Sequence, residues 1–559
     1  MLEKEVLRLL LSADVKADES KLERPPQKEM GDVAFPCFEL AKVQKRNPVE
    51  IAVELKKKIK LPKDSMIQRI EVAGPYLNFY YDYQKFVEKV LPNVMRKPKI
   101  ERKEKIMIEF AHPNTHKGFH IGHFRNICIG ESLCRILEFA GHKVHRVNYQ
   151  GDIGPHIAKT LWAFVNIYKG KVPKEKEKRK AEWLGQLYAE AEKRIEDEKV
   201  ADEVAEINKN LYEQDDRKIL KVWKETRQWS LDYFAEIYKE LGTGFEKYYL
   251  ESQVEKRGKR ISEELVKKGL AKVSEGAIVV DLEKYGLGIF VLLSKDKTPL
   301  YPAKDLALVE IQFSDFKVDK CIHVVSTEQN LYFRQLFKTF ELMKSPGAGK
   351  SYHLAYELVT LKEGKMASRL GNVILYGDLR DKMVGKVLDE MKERKMESKD
   401  KESTAKMIAI GAMKYAMLRI SPEKLVFFDW EDVLKLEGNT GPYIQYAYTR
   451  CSSILKKAGK WKKTYSANER LKDEEKYLVS MLARFSGIVS EAAASMKPHL
   501  ICNYLYELTT ALNNFYEKCP VLKAKNAEQK NFRLTLVDAT KEVLKTGMQL
   551  IGMEAPERM

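Results

Sequence analysis

The sequence predicts an α/β protein: a parallel-sheet domain preceded by a small α+β unit and followed by an all-helical bundle. Three observations carry this. A strand, loop, helix, strand pattern runs from residue 106 to 148, and a helix between two strands brings the chain back to a parallel neighbour. Residues 1–98 mix two helical patterns with one extended run. From 404 to 559 the apolar spacing is almost wholly helical. At 559 residues and roughly 150 residues per domain the chain holds about three or four domains. The expected division is 1–98, 99–403 with a helical insertion at about 157–270, and 404–559.

The elements follow in order. Residues 3–11 and 50–59 carry helical spacing, and 70–81 reads as extended, with Leu77, Phe79 and Tyr81 on one face. The polar stretch 98–105 reads as a linker. Residues 106–110 have buried-strand character, and 111–119 form a polar loop containing Pro113 and Gly118. Ile121, Ile127, Leu133, Ile136 and Leu137 recur at helical spacing, and Gly141 stands where a helix-closing glycine belongs. Residues 143–148 give the next strand. The region 157–270 is helical and highly charged, and its basic run at 174–180 reads as a solvated face. Strand-like runs return at 277–281, 288–293 and 320–325, and a helix is expected at 335–343.

Composition narrows the function classes. With 44% hydrophobic and 32% charged residues the chain can bury cores, which excludes wholesale disorder. No stretch approaches the 18 or so apolar residues of a membrane span, so no membrane partner is expected. The first twenty residues read as a folded helix and not as an export signal. Seven scattered cysteines without a CxxC pair argue against a zinc ribbon or a disulfide framework and for a reducing cytoplasm. A net charge of +18 suits a polyanionic partner without requiring one.

Seven of the ten histidines (His112, His116, His120, His123, His142, His145 and His156) lie between residues 112 and 156. A helix-borne zinc pair would need a glutamate beside its first histidine, whereas Pro113 and Asn114 follow His112. No metal site is expected. The run Gly347 to Ser351 imitates the end of a P-loop, but Lys344 replaces the leading glycine and a helix precedes it, so a turn is expected. The phosphate reading of His120-Ile121-Gly122-His123 is stronger. This segment starts the helix after the first strand, where unpaired backbone N–H groups and the dipole favour phosphate. Gly122 leaves room for a flat base, the imidazoles three residues apart share one face, and Lys117 adds charge.

Residues 109–126, with Pro113-Asn114, Lys117 and His120 to His123, resemble the signature segment of the class I arginyl-tRNA synthetases. Further likenesses run along the chain: residues 148–154, Tyr301 to Ala307 with its Tyr-x-x-x-Asp motif, residues 438–447, and the ending 556–559. Lys365-Met366-Ala367-Ser368-Arg369 resembles the family's second ATP signature in degenerate form, and His112 stands where the family usually has Ser or Ala.

The resemblance implies a Rossmann-like catalytic domain, an N-terminal added domain at the tRNA elbow and a C-terminal anticodon-binding bundle. It implies a ligase using ATP with Mg²⁺, with L-arginine and arginine tRNA as partners, acting as a cytoplasmic monomer. Lys117, His120, His123 and Lys365 would be catalytic, and His120, Gly122, His123, Lys365 and Arg369 would bind ATP. Glu109, Asn114, Tyr301, Asp305 and Gln329 would bind arginine. Tyr76, Asn78, Tyr446, Arg450 and Met559 would meet the tRNA, with Tyr76 and Asn78 on a strand face opposite Leu77 and Phe79. Two rivals stay open: a small nucleotidyltransferase, which would not need the terminal domains, and a synthetase-like RNA-binding protein without catalysis.

Overall fold

The computed structural model describes residues 2–23, 25–27, 30–361, 374–392, 398–466 and 471–559. They form two compact units, one of residues 1–96, 447–488 and 504–546, the other of 97–446, 489–503 and 547–559.

In the first unit, β1 (Val33–Pro36), β2 (Ile67–Ala73) and β3 (Tyr76–Tyr81) form an antiparallel sheet in the order β1-β3-β2. Helices α1 (Leu2–Ser12), α2 (Phe38–Gln44), α3 (Pro48–Lys58) and α4 (Tyr83–Val90) accompany it. The extended run expected at 70–81 is a hairpin. Gly74, at φ +58, and Pro75 turn the chain between β2 and β3, a left-handed step that glycine takes without steric cost. Asn47 caps α3 through its side chain, and Pro48 occupies the first turn. In the helical part of this unit Arg533 and Glu475, each 4% exposed at the side chain, pair at 2.8 Å.

The second unit is built on β4 (Lys105–Glu109), β5 (Lys143–Gln150), β6 (Lys247–Leu250), and, after a small antiparallel sheet of β7 (Lys272–Ser274), β8 (Ala277–Asp281) and β9 (Ile289–Leu293), on β10 (Lys320–Ser326) and β11 (Ser351–Tyr356). The five main strands run parallel in the order β11-β10-β4-β5-β6. Ile106, Met107 and Ile108 of the central β4 are at most 2% exposed, as a strand covered on both faces requires. α5 (Ile121–Ala140) follows β4, and Gly141 closes it at φ +114. β6 was invisible in the sequence: its four residues sit inside the charged stretch 157–270 that otherwise reads as helix.

That stretch supplies α6 (Pro155–Asn166), α7 (Lys180–Glu192), α8 (Glu198–Glu213), α9 (Arg217–Glu240) and α10 (Glu251–Lys267). The first four share an apolar core that includes Trp162, Trp183, Leu187, Leu211 and Trp223. The basic run at 174–179 buries nothing. α11 (Tyr301–Phe316) and α12 (Asn330–Met343) pack on the sheet with α10, and α13 (Tyr376–Glu390) and α14 (Ser398–Leu418) follow. Gly347 to Lys350 form the expected turn between α12 and β11. Four long helices, Gly441–Ala458, Asp473–Ser495, His499–Lys518 and Ala527–Leu550, occupy the rest.

α10 and α11 meet at Gly258, where an added Cβ would lie 2.4 Å from the Ala303 carbonyl oxygen. Alanine in a helix interior normally gains about 1 kcal/mol over glycine. Here the obstacle is backbone and cannot rotate away, so overpacking at about 1–3 kcal/mol wins. Gly258→Ala is expected to lower unfolding stability, measured by urea titration.

Candidate active site

The turn after β4 is held in an unfavourable backbone shape. Ala111, His112 and His116 have φ of +80, +46 and +62, left-handed values that cost non-glycine residues about 1 kcal/mol or more each. Fixed hydrogen bonds sustain them. Ala111 N donates to Asn126 Oδ1 at 2.5 Å, and Asn126 Nδ2 donates to Val324 O at 2.7 Å. Asn148 Nδ2 donates to Phe110 O at 2.7 Å. Thr115 N donates to Gly151 O at 2.8 Å, and His116 N to Ser230 Oγ at 3.0 Å. A Cβ on Gly151 would fall 2.1 Å from Asn114 Oδ1, so glycine there is what lets Asn114 seat against the end of β5.

His116 is fully buried between Thr115 and Thr226, at 3.0 and 2.7 Å. Burial, with Arg227 nearby, pushes its imidazole down to about 3. It is a neutral strut of the turn, with both ring nitrogens engaged by threonine hydroxyls. Among the described residues no group of three His, Cys, Asp or Glu is set to hold a metal ion.

His120 and His123 begin α5 as a reciprocal cap. Gly122 N donates to His120 Nδ1 at 3.1 Å, His120 N donates to His123 Nδ1 at 3.2 Å, and the rings stack at 3.8 Å. Burial, aided by Lys117, pushes His120 down to about 4. Burial, then His120, His112 and Lys117, push His123 well down. Both rings are therefore neutral, and because each Nδ1 accepts a backbone N–H, the ring proton sits on Nε2. A pair of Nε2–H donors stands at a helix N-terminus, where an anion is favoured. Gly122 belongs here for space, since a Cβ would lie 2.9 Å from the His120 ring. Lys117 Nζ lies 5.3 Å from the Tyr188 ring centre.

His112 is within electrostatic reach of both His123 and Glu109 and links this donor pair to an acidic pocket. Glu109, 4% exposed, accepts from Gln312 Nε2 and lies 3.2 Å from His323 Nδ1. Burial opposes its charge, but His323, and then His112 and Gln312, hold its carboxyl down to about 2. Asp305, partly buried, accepts from the Tyr332 hydroxyl. Burial pushes Asp305 up to about 7; Tyr332 resists, and the Glu109 and Glu251 carboxylates reinforce the rise. Glu251 is paired with Lys304 at 2.7 Å, both about 5% exposed or less at the side chain. Tyr301 opens α11 and is 55% exposed, with Lys304 Nζ 5.3 Å from its ring. Among the described residues, Tyr149 Oη, Gln312 Oε1 and His112 Nε2 are buried around this pocket with no hydrogen-bond partner. Such groups are costly unless something satisfies them.

Of the residues expected from sequence, Glu109, Asn114, Lys117, His120, Gly122 and His123 lie along one continuous strand end and turn, and the Glu109 carboxylate is near enough to raise Asp305. Gln329 lies exposed immediately before α12. Lys365 and Arg369 lie outside the described residues; Ile121 N donates to Ile374 O, where the described chain resumes. Tyr76 packs edge-on against Phe38 at 5.6 Å. Asn78 departs from its expected exposure: it is 3% exposed, because the segment at Gly31 covers it, with Asn78 Cβ 3.3 Å from a Cβ built there. Tyr446 is 37% exposed, Arg450 donates to Asn513 Oδ1 at 3.0 Å, and Met559 is half-buried. Sequence reading missed Tyr332, Gln312, Tyr149, Glu251, Lys304 and His323. Gln312 had a signal, lying seven residues after Asp305 and so two helical turns along the same face, and Tyr149 and Lys304 fall inside the segments 148–154 and 301–307 that carry the resemblance.

Residues 86–430 match the model described as tRNA synthetases class I (R), catalytic domain; 444–559 match the DALR anticodon binding domain, and 2–81 the arginyl tRNA synthetase N terminal domain. The arginine–tRNA ligase of Bdellovibrio bacteriovorus is 35% identical over 560 residues, covering 96% of this chain and 94% of the relative. That of Clostridium acetobutylicum is 32% identical, covering 99% of each. The Thermus thermophilus arginyl-tRNA synthetase structure superposes with a TM-score of 0.79 at 27% identity, over 100% of this chain and 99% of that one. The chain belongs to the arginyl-tRNA synthetase family.

The neutral histidines make two measurable demands. Nitrogen-15 shifts of His120 are expected to report a neutral, Nε2-protonated ring down to pH about 4. Folded His116 titrates at about 3 against an ordinary 6.5, so the unfolded chain binds the extra proton between these values. Stability contributed by burying His116 is whole above pH about 6.5 and is lost as pH falls toward 3, which urea unfolding across that range will register.

Proposed function

We propose that the chain activates L-arginine with ATP and transfers the arginyl group to the 3′-terminal ribose of arginine tRNA. The arginine carboxylate oxygen attacks the ATP α-phosphorus, the bond to the β-phosphate oxygen breaks, and pyrophosphate leaves. A ribose hydroxyl then attacks the carbonyl of arginyl-adenylate, and AMP departs. No covalent enzyme intermediate is needed, so catalysis is positioning and charge stabilisation. The acidic pocket beside the paired Nε2–H donors carries this reading.

His120 and His123 donate from Nε2 to the α-phosphate oxygens as charge develops in the transition state. Lys117 and Lys365, with Arg369, serve the outgoing phosphates, and Gly122 admits the adenine. Mg²⁺ arrives with ATP, whose phosphate oxygens and water supply most of its ligands. Asp305, oriented by Tyr332, takes the guanidinium, whose planar fork an ammonium cannot reproduce. Tyr301 and Gln329 complete the rim, and Asn114 with Glu109 orients the α-amino and carboxylate end. The free hydroxyl of Tyr149 and the free oxygen of Gln312 are partners in waiting for such a polar substrate. Residues 1–98 would serve the tRNA elbow through Tyr76 and Asn78, 99–403 catalysis, and 404–559 the anticodon through Tyr446, Arg450 and Met559. The buried setting of Asn78 assigns it to shaping the strand beneath Tyr76 more than to direct contact. The seven cysteines are all buried and unpaired, which suits a reducing compartment such as the cytoplasm; a monomer remains part of the proposal.

A charging assay with labelled arginine and total tRNA tests the whole reading; no charging would overturn it. Asp305→Asn is expected to abolish arginine-dependent charging while ATP still binds, and normal charging would refute the pocket. His123→Ala is expected to lower kcat by about 10²–10³-fold with little change in the KM for arginine.

A further inference from the structure

The pocket holds more acid than a single guanidinium needs. The Glu109 and Glu251 carboxylates both add to the rise of Asp305, and Glu251 is matched by Lys304. Glu109 is matched differently. It ends β4, and the parallel register sets His323 of β10 directly beside it. His323 Nδ1 lies 3.2 Å from Glu109 Oε1, with 7% and 5% of the two side chains exposed. Cys321 Sγ is 3.4 Å from the other ring nitrogen, and the Phe333 and Phe337 rings stand 5.5 and 5.9 Å away.

We infer that His323 is a positioning and specificity-determining residue: as Glu109's buried counter-ion it leaves Asp305 the one uncompensated carboxylate of the pocket among the described residues. The inference rests on the arginine reading above and deepens it. Two unmatched carboxylates in one buried site cannot both ionise easily, and would titrate as a coupled dyad. Arginine, with its guanidinium on Asp305 and its α-amino end at Glu109, would then have to expel both protons wherever the dyad is fully protonated. With Glu109 and His323 a neutral pair, a monovalent flat cation meets one acid, Asp305.

The remaining groups leave this balance intact. Burial, ahead of the opposing Glu109 field, pushes His112 down, and burial likewise pushes His353 down, so both are neutral. Burial pushes Tyr149, Tyr249, Tyr332 and Cys321 up, so they carry no charge near neutrality. Gln312 contributes a neutral donor. Burial would discharge His323 itself, but the Glu109 carboxylate at 3.2 Å pushes it well up instead, with Cys321 a neutral thiol beside the ring.

The test is the pH dependence of kcat/KM for arginine in tRNA charging at saturating ATP. Wild-type protein is expected to lose tenfold per pH unit, one proton, below pH about 7. His323→Gln keeps a polar side chain but no charge. Below the lower apparent pKa of the resulting dyad it is expected to steepen the loss toward about a hundredfold per unit, two protons, while kcat at saturating arginine changes less than about threefold. Replacing Glu109 as well (His323→Gln with Glu109→Gln) should return the slope to one proton. A His323→Gln profile parallel to wild type, or a double variant that stays steep, overturns the inference and leaves the proposed function standing. A wild-type chain that never charges tRNA with arginine overturns both. Should His323→Gln not fold, calorimetry of arginine binding to the wild-type chain in buffers of different ionisation enthalpy decides: release of up to one proton supports the inference, and release approaching two refutes it.

Discussion

The site depends on a loop that the chain would not adopt alone. Three non-glycine residues between β4 and α5 take left-handed backbone angles, and side chains from elsewhere hold them there: Asn126 from the helix the loop begins, Asn148 from the neighbouring strand, Ser230 and Thr226 from α9. Each of these bonds satisfies a backbone or imidazole group that would otherwise be orphaned in the interior. The outcome is that His120 enters α5 already in capping geometry, with both imidazole Nδ1 atoms committed and both Nε2–H groups free to act. Preorganisation of this kind is the main source of rate enhancement when no covalent step is available.

Around that loop the protein keeps ionised groups in its interior, an arrangement that contributes little net stability. Desolvating two charges costs several kcal/mol per ion, and an apolar substitute is often as stable. The pairs Lys304–Glu251 and His323–Glu109 are therefore better understood as devices for orientation and charge balance. Asp152, with no exposed surface, shows the same economy without touching the pocket. It accepts from Arg227, from Ser252 N and from Ser252 Oγ at 2.7–2.9 Å, fixing the starts of α10 and the flank of α9. That places Glu251, one residue before Ser252, beside Lys304.

Much of this was legible in the sequence wherever cause and effect lie close along the chain. The strand, loop and helix from 106 to 141, the helix-closing Gly141 and the start of α5 at His120–His123 are local patterns, and the structure contains them; the reciprocal cap between the two rings shows only in the structure. The resemblance supplied Asp305, which spacing alone would have left as an ordinary residue in a helix start. What sequence reading missed is non-local. His323 matters only because β10 docks beside β4, and Tyr332 only because α12 begins next to α11. β6 is too short to announce itself among charged helices. The hairpin at Gly74 reads as one continuous strand until its turn is seen, and Asn78 obeys alternation yet is covered by a segment more than forty residues earlier. Lys365 and Arg369 lie outside the described residues.

The pairing of Glu109 with His323 has a consequence for how the polypeptide is made. The two partners are separated by 214 positions, and β10, which carries the histidine, is also the strand that covers one edge of β4. On the ribosome, β4, α5 and β5 emerge long before their other neighbours, so the acid at the end of β4 must remain hydrated until the last third of the catalytic unit has been translated. A central strand whose burial waits for distant sequence marks a slow, late-closing topology. The nascent chain thus reaches its reactive shape only after the segment that neutralises its floor has left the exit tunnel.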